Sequence, residues 1–388
     1  MTVDDETRLA RAYLCAVAEP PSVALVELVT RAGPKEAAAR VLAGEVSDRV
    51  AKETAARRER VRPEEILRAT EQAGARLLVP GDDDWPEVPF LAFGLSGQAH
   101  LSEPLGLWVR GALPMAPLTE RSAAIVGSRS ATGYGVHVAG SFGFGLAELG
   151  CTVFSGAAFG IDAAAHRGAL SAPGTTVAVL ACGVDQPYPA AHHQLLDRIA
   201  DTGLVVSEYP PGTTPARHRF LVRNRIIAGL ATGTVVVEAG WRSGARRTAS
   251  DALLLGRPVM AVPGPVTSAL SSGCHRLMRE PGTTVVTTAA EVLEEVGRIG
   301  EDLAGEHDVV RRPTDGLSPI MLRVHDALPL RGQRDVSELS ADSGLPVELV
   351  RSALARLEAA CMARRSGPGW CLSNNVGRDI AQGLRGGP

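Results

Sequence analysis

Residues 217–240 read RHRFLVRNRIIAGLATGTVVVEAG, a stretch that joins a cluster of cations to a buried helix and a buried strand. The polar triplet Arg223-Asn224-Arg225 stands directly before the apolar run 226–230, which leads through a Thr-Gly pair into strand-like residues 234–237. We expect a helix to begin at this triplet, so that Arg223 and Arg225 flank its N-terminus. A helix N-terminus already carries partial positive charge, so additional cations there indicate an external anion.

Positive charge is concentrated around this stretch. Residues 205–250 contain seven arginines and two glutamates, whereas the whole chain has a net charge of −3. The sequence contains only two lysines, Lys35 and Lys52, so arginine is the usual cation of this chain and its use here says little. The clustering of the arginines is the informative feature. A local excess of guanidinium groups predicts contact with phosphate, although a solvated face remains the alternative for any single arginine.

Length and composition indicate a soluble protein of two or three domains. The chain has 388 residues, 45% of them hydrophobic, and no apolar run approaches the roughly 20 residues of a membrane helix. Acidic residues stand near the start, where a secretory signal needs basic ones, so we expect a cytoplasmic protein. Six cysteines are scattered without a C-x-x-C pair, which argues against zinc and against a disulfide framework.

The central part of the chain alternates strand-like runs with helical segments. The predicted strands are 123–127, 152–155, 176–180, 204–207, 234–237, 259–262 and 284–287, with a further short strand at 107–111. Most are continuous apolar runs, as expected for parallel strands that are buried on both faces. The fold class is therefore α/β, with a Rossmann-like, doubly wound parallel sheet whose ligands bind beyond the carboxyl ends of its strands.

Two smaller modules flank the predicted sheet. Residues 1–80 show helical patterns separated by breakers, and the sheet domain is assigned to residues 105–297. Residues 298–316 are polar and lack periodicity, so they are assigned as a linker. Residues 317–388 show three helical segments and a hairpin, which predicts a winged-helix domain for DNA or protein contact.

Several common kinds of site are not supported by the motifs. A dinucleotide fingerprint needs a glycine at the position of Val138 and an acid near Ser155-Gly156, and a P-loop needs a lysine that the sheet domain lacks. We therefore expect no nucleotide cofactor. Asp162 and His166 share a helix face, but no third ligand is spaced to join them, so no metal site is predicted.

Aromatic residues are rare but several fall in or beside the loops that follow the strands. They are Tyr134, Phe159, Tyr209, Phe220 and Trp241. Each of them alone is typical of packing, whereas together they are expected to include one or two platforms on which bases stack.

The ordered motifs of the sheet resemble those of the DNA-processing protein A family, DprA or Smf. The resemblance covers residues 105–297 and rests on AIVGSRSATGYG, SGAAFGIDAAAH, TVAVLACGVDQPYP, VVSEYPPG, FLVRNRIIAGLATGTVVVEA, SGARRTA and VMAVPG. The helical front, of the SAM or helix-hairpin-helix kind, and the winged-helix tail fit the additional domains of that family. The resemblance implies an extended Rossmann fold and a non-enzymatic homodimer that binds single-stranded DNA. It also implies protection of incoming DNA, loading of the RecA recombinase in natural transformation, and contact with single-strand-binding protein.

The resemblance also implies which residues line the DNA pocket. Carried over by motif, these are Gly127, Ser128, Arg129, Ser155, Gly156, Phe220, Arg223, Asn224, Arg225, Ser243 and Gly244. The chain departs from the family at Leu221, where a proline is usual, and at Arg246-Arg247, where uncharged residues are usual.

Two other functions remain open. Gly244, Thr248 and Asp251, with Glu238 as a second carboxylate, faintly resemble the site of phosphoribohydrolases that cleave nucleoside monophosphates, although the Pro-Gly-Gly-x-Gly-Thr run of those enzymes is absent. A tail that binds promoter DNA as a repressor is the other alternative.

Overall fold

Nine strands of the described residues form one sheet in the computed structural model, which describes residues 3–298, 300–304 and 314–373. The strands are β1 Ala75–Leu78, β2 Leu107–Arg110, β3 Ser122–Val126, β4 Thr152–Ser155, β5 Thr176–Leu180, β6 Leu204–Ser207, β7 Gly233–Val236, β8 Val259–Ala261 and β9 Thr283–Val285. Their order across the sheet is β1-β2-β6-β5-β4-β3-β7-β8-β9. Because the order reverses at β3, the sheet is doubly wound around that strand.

The sheet is parallel except at one edge. β1 pairs antiparallel with β2, and β2 pairs antiparallel with β6, while all other neighbours are parallel. Strands β3 to β8 are buried along their whole length, as their continuous apolar runs predicted. The predicted fold class and the eight predicted strands are confirmed. β1 was not predicted, because its sequence ARLL is short and follows a helix directly.

Helices cover both faces of the sheet. Those of the first unit are α1 Asp5–Val17, α2 Val23–Ala32, α3 Pro34–Ala43, α4 Asp48–Thr54, α5 Pro63–Gln72, α6 Glu87–Ser96, α7 Met115–Glu120, α8 Gly133–Glu148, α9 Ile161–Ala169, α10 His193–Thr202, α11 Arg217–Leu230, α12 Gly244–Leu254, α13 Ser272–Leu277 and α14 Ala289–Val296. Successive β3 residues point to opposite faces, so Ile125 packs with α8, α9 and α14, whereas Val126 packs with α11 and α12. In the described part of the chain, no helix is both long enough and apolar enough to cross a bilayer.

The helical front contains α1 to α5. Helices α1 to α4 pack around an apolar cluster of their own, whereas Ile66 and Leu67 of α5 pack against a cluster that includes strands of the sheet. Asp4 caps α1 by accepting a hydrogen bond of 2.9 Å from the amide of Thr7. The sheet begins at Ala75, within the segment assigned to this front, and residues Met1–Gly305 form one compact unit. The limits 1–80 and 105–297 remain predictions.

Helix α11 begins six residues before the predicted start at Arg223. It starts at Arg217 and runs through the triplet to Leu230, so the expectation that Arg223 and Arg225 flank a helix N-terminus is wrong. Arginine and leucine are good helix formers, and between Pro215 and Gly229 no residue interrupts the helix. Leu221 lies in the second turn, where a proline would lack the amide that a helix interior needs.

A second compact unit follows, assigned to Glu306–Pro388. Its described part contains α15 Pro319–Ala327, α16 Val336–Ser343 and α17 Val347–Ala359, and then an antiparallel hairpin of β10 Ala363–Ser366 and β11 Gly369–Leu372. The predicted turn between α16 and α17 is present, with Gly344 in the left-handed region at φ +64°. Three helices and a hairpin are thus found in the predicted order, and the winged-helix assignment remains a prediction. Most of the predicted linker and residues 374–388 lie outside the described residues.

Candidate nucleic-acid interface

A cleft of about 600 Å³ opens at the carboxyl ends of β3 and β7, where the strand order of the sheet reverses. We call it the strand-end cleft. Its walls come from the loops after β3, β4 and β7, from the first half of α11 and from the start of α12. The lining residues are Val126, Gly127, Ser128, Arg129, Ser130, Ala158, Asp162, Arg217, Phe220, Leu221, Arg223, Asn224, Ile227, Gly240, Arg242, Ser243, Gly244, Ala245, Thr248 and Leu270.

Most of the residues that the family motifs pointed to lie together in this cleft. Those that line it are Gly127, Ser128, Arg129, Phe220, Arg223, Asn224, Ser243 and Gly244. Ser155, Gly156 and Arg225 do not line it. These eight residues come from three separate segments of the chain, as expected for the carboxyl edge of a parallel sheet.

Ser155 and Gly156 lie beneath the floor of the cleft. Ser155 is fully buried, and its Oγ donates a 2.6 Å hydrogen bond to the carbonyl oxygen of Ile125 in the neighbouring strand. Gly156 donates its amide to Asp162 at 3.2 Å and accepts a hydrogen bond from Arg223 at 2.9 Å. A Cβ at Gly156 would approach the Arg223 guanidinium to 2.5 Å, so glycine is needed for this contact. Both residues support the floor of the cleft.

Arg223 supplies a buried positive charge at the base of the cleft. Its Nη1 donates to the carbonyl oxygens of Gly156 and Val179, and so joins the ends of β4 and β5. Burial lowers the pKa of Arg223 to about 10, against the opposing effect of the Asp162 carboxylate. The guanidinium therefore stays charged at neutral pH. A desolvated cation of this kind interacts more strongly with an anion than an exposed one does.

Arg225 points away from the cleft. Two positions correspond to about 200° around a helix, so Arg223 and Arg225 face nearly opposite sides of α11. Arg225 forms a bidentate ion pair with Glu208, with N–O distances of 2.8 and 2.6 Å, and both side chains are buried. Its Nε also donates to the carbonyl oxygen of Ser102 at 3.2 Å. Arg225 is therefore part of the core and does not line the cleft.

An aromatic group stands at the mouth of the cleft. The half-buried ring of Phe220 has the Arg129 guanidinium over it, 4.6 Å from the ring centroid, and Tyr188 beside it at 5.3 Å between centroids. Arginine planes and aromatic rings are the two kinds of surface on which unpaired bases stack. Arg129 and Phe220 together offer such a surface.

Two cleft arginines were not singled out from the sequence. Arg217 and Arg242 are exposed and both line the cleft, one at the first residue of α11 and the other in the loop after β7. The arginine excess between residues 205 and 250 included both, but nothing in the pattern distinguished them from arginines elsewhere. Asp162 is the one carboxylate among the cleft-lining residues of the described chain, and burial raises its pKa against the opposing effect of Arg223.

The N-terminus of α8 is occupied by a side chain of the protein itself. Glu238, buried after β7, accepts hydrogen bonds from the amide of Thr132 at 2.9 Å and from its hydroxyl at 2.6 Å. A Cβ at Gly135 would approach Glu238 Oε2 to 2.3 Å. In dinucleotide-binding sheets, the pyrophosphate lies at the corresponding helix terminus. The Glu238 carboxylate fills that position here.

The carboxylates of the hydrolase alternative are not assembled as a pair. Asp251 accepts hydrogen bonds from Arg247 at 3.0 Å and from His100 at 3.3 Å, and it does not line the cleft. Glu238 is held by Thr132. Gly244 and Thr248 do line the cleft, but the two acids that such a reaction needs are engaged elsewhere.

Asp162 and His166, which share a face of α9, are not joined by a third metal-ligating side chain among the described residues. His166 is fully buried and its Nδ1 lies 2.7 Å from Thr176 Oγ1. Burial lowers the pKa of His166 to about 3, so the ring is neutral. No group of three His, Cys, Asp or Glu side chains in the described residues is arranged to hold a metal ion.

The first turn of α11, which carries Phe220, is tied to the helical front. Glu19 accepts hydrogen bonds from Arg219 at 2.7 Å and from His218 at 3.1 Å, and it also pairs with Arg57. Partial burial acts to raise the pKa of Glu19, but these hydrogen bonds outweigh burial and lower it to about 2. One carboxylate therefore joins the helical front to the turn that presents the aromatic ring.

Replacing this carboxylate by an amide, Glu19→Gln, is expected to lower the free energy of unfolding by about 1–2 kcal/mol at pH 7. A carboxyl group with a lowered pKa stabilises the fold above its unfolded pKa near 4.5, and this contribution is lost as the pH falls toward 2. The difference between the wild type and the variant in urea unfolding should therefore shrink from pH 6 to pH 3. Glu59→Gln removes an exposed ion pair and is the control, with a change near zero. A difference that is independent of pH would contradict this account.

Three comparisons with known proteins bear on the chain. The family model described as DNA recombination-mediator protein A matches residues 76–297. A DNA processing protein DprA homologue of Mycobacterium tuberculosis strain H37Rv is 48% identical over 383 residues, which cover 98% of each chain. DNA processing protein DprA of Streptococcus pneumoniae is 43% identical over 192 residues, or 50% of this chain and 67% of that protein. The X-ray structure of DprA from Streptococcus pneumoniae superposes with a TM-score of 0.63 at 30% identity, covering 77% of this chain and 100% of the other.

Proposed function

Because the chain belongs to the DNA recombination-mediator protein A family, we propose that it binds single-stranded DNA in the strand-end cleft. In this proposal the protein protects incoming DNA and loads a RecA recombinase onto it during natural transformation and DNA recombination. The observation that carries the binding step is the cleft itself, which is lined by four arginines and one half-buried aromatic ring.

The charge of the cleft supports a polyanionic ligand. Arg129, Arg217, Arg223 and Arg242 line it, against the single carboxylate of Asp162 among its described lining residues. The protein as a whole is slightly acidic, with a net charge of −3, so this excess is local. Guanidinium groups at a cleft bind phosphates and raise the rate of association with nucleic acid.

The aromatic ring supports a single strand as the ligand. A base can reach the Arg129–Phe220 surface only if it is free of its partner, because bases of a duplex are stacked within the helix. The small residues Ser128, Ser243 and Gly244 leave room for the sugar-phosphate backbone to approach the walls.

A binding role without catalysis is supported by the placement of the acids. The phosphoribohydrolase alternative needs its two carboxyl groups beside the substrate, whereas Glu238 and Asp251 do not line the cleft and are hydrogen-bonded to other protein groups. This placement supports a DNA-binding mediator without hydrolase activity as the proposed function.

The remaining partners in this proposal follow from the family resemblance. They are a RecA recombinase, a second copy of the chain as a homodimer, and single-strand-binding protein. A cytoplasmic location is part of the same proposal, and it agrees with six free cysteines, five of which are buried.

The binding step is tested by titrating oligothymidylate at several salt concentrations. Replacing the two exposed cleft arginines, in Arg217→Ala/Arg242→Ala, should lower the slope of log K against log salt by about 1.4, or about 0.7 for each lost phosphate contact with single strands. Arg198→Ala, an exposed arginine of α10 outside the cleft, is the control and should leave the slope unchanged. An unchanged slope in the double variant would place the DNA elsewhere.

A further inference from the structure

Trp241 is unusually exposed for a tryptophan. It is 58% exposed, whereas the other three tryptophans of the chain, Trp85, Trp108 and Trp370, are at most 8% exposed. A large ring left in solvent forgoes the stabilisation of burial, and aromatic rings of this kind are enriched where proteins contact other molecules.

Trp241 lies at the rim of the strand-end cleft. It belongs to the loop between β7 and α12, and the residues on either side of it, Gly240 and Arg242, both line the cleft. Trp241 itself does not line the cleft, and because neighbouring Cα atoms are about 3.8 Å apart, its backbone lies within one residue of the cleft wall. A strand leaving the cleft past Arg242 would meet this ring.

The indole is held in place by cations. Arg276 lies over the ring at 5.0 Å from its centroid and Arg246 at 5.9 Å. Arg246 also donates a 2.8 Å hydrogen bond to the carbonyl oxygen of Trp241, and both arginines approach the same oxygen of Glu280. These contacts orient the ring before any ligand arrives, which lowers the entropic cost of stacking.

We propose that Trp241 is a second base-stacking platform, which receives a nucleotide of single-stranded DNA just outside the strand-end cleft. The inference rests on the proposed function, because the strand must already occupy the cleft. Arg246 and Arg276 lie over the indole, and Arg242, the next residue along the chain, lines the cleft. These three positive charges outnumber the single negative charge of Glu280, so the neighbouring phosphates meet a favourable potential. A cationic surface continuous with the cleft favours this ligand over a protein partner.

Tryptophan fluorescence measures the contact directly. Since Trp241 is the exposed tryptophan of the chain, oligothymidylate should quench the emission of the wild type. Trp241→Phe keeps an aromatic face and removes the indole, so it should bind with near-wild-type affinity and without the quench.

The affinity for strands of two lengths tests where the platform lies. Trp241→Ala should bind an oligothymidylate of about 16 nucleotides at least about fivefold more weakly than the wild type, and one of about 6 nucleotides with little change. Phe144→Ala, which removes an exposed ring of α8 outside the cleft, is the matched control and should change neither affinity.

The outcomes separate the inference from the function on which it rests. Normal binding of both lengths by Trp241→Ala, with no quench in the wild type, overturns the platform and leaves the cleft in place. If Trp241→Ala alters the oligomeric state but not DNA binding, Trp241 is a protein contact and the platform is also overturned. A wild-type protein that binds neither length overturns both proposals.

Discussion

Arg225→Ala is expected to lower the free energy of unfolding by about 3–5 kcal/mol. The substitution leaves the Glu208 carboxylate buried without the two hydrogen bonds of 2.8 and 2.6 Å that Arg225 provides, and it leaves a void beside α11. An unpaired buried charge is one of the most destabilising features that a single substitution creates. Urea unfolding followed by circular dichroism measures the loss.

A double variant distinguishes the missing partner from the missing volume. Glu208→Gln/Arg225→Met removes both charges and keeps much of the volume, so it should be less destabilised, by under about 2 kcal/mol. At a urea concentration at which Arg225→Ala is still folded, the slope of log K for DNA against log salt should be the same for Arg225→Ala as for the wild type. A lower slope with unchanged stability would instead make Arg225 a phosphate contact, as the family motif alone suggested.

Arg129→Ala/Phe220→Ala is expected to weaken the binding of oligothymidylate by about a hundredfold, or about 2.7 kcal/mol. The variant removes the stacking surface in which the guanidinium lies 4.6 Å from the ring centroid. It also removes one phosphate contact, so the salt slope should fall by about 0.7. Because the two side chains touch, the sum of the two single losses should differ from the loss in the double variant.

The control for this variant is Phe144→Ala/Arg198→Ala, which removes one exposed ring and one exposed arginine outside the cleft. It should bind DNA with wild-type affinity and slope. If the control is weakened as much as the cleft variant, binding depends on general surface charge and not on the strand-end cleft. Circular dichroism of both variants checks that the fold is retained.

The strands of the sheet were predictable because burial leaves a local trace. Residues 176–180 and 204–207 are continuous apolar runs, which a strand buried on both faces requires. β1 leaves no such trace, since only Leu77 and Leu78 of its four residues are buried. It is a strand because it pairs with β2 at the edge of the sheet. The helical segments of the front and of the tail were likewise predictable from the spacing of their apolar residues.

The start of α11 could have been found from the sequence, but the directions of its arginines could not. No helix breaker separates Pro215 from the triplet, so an earlier start was compatible with the pattern. Whether Arg223 or Arg225 faces the cleft depends on where the sheet and the loop after β6 lie around the helix. Glu208, which forms the ion pair with Arg225, is seventeen residues away along the chain.

The order of motifs along the chain was sufficient to predict the doubly wound sheet and to reveal the family resemblance. The amino-acid sequence alone allows this, because the residues of a segment indicate whether it is buried and which turns need glycine. The composition of the cleft was decided only by the tertiary structure. Arg217, Arg242 and Asp162 come together with Gly127 because parallel strands bring their carboxyl ends to one edge, a proximity that the spacing along the chain does not record. Arg225 lies outside the same cleft because its position is about 200° around α11 from that of Arg223.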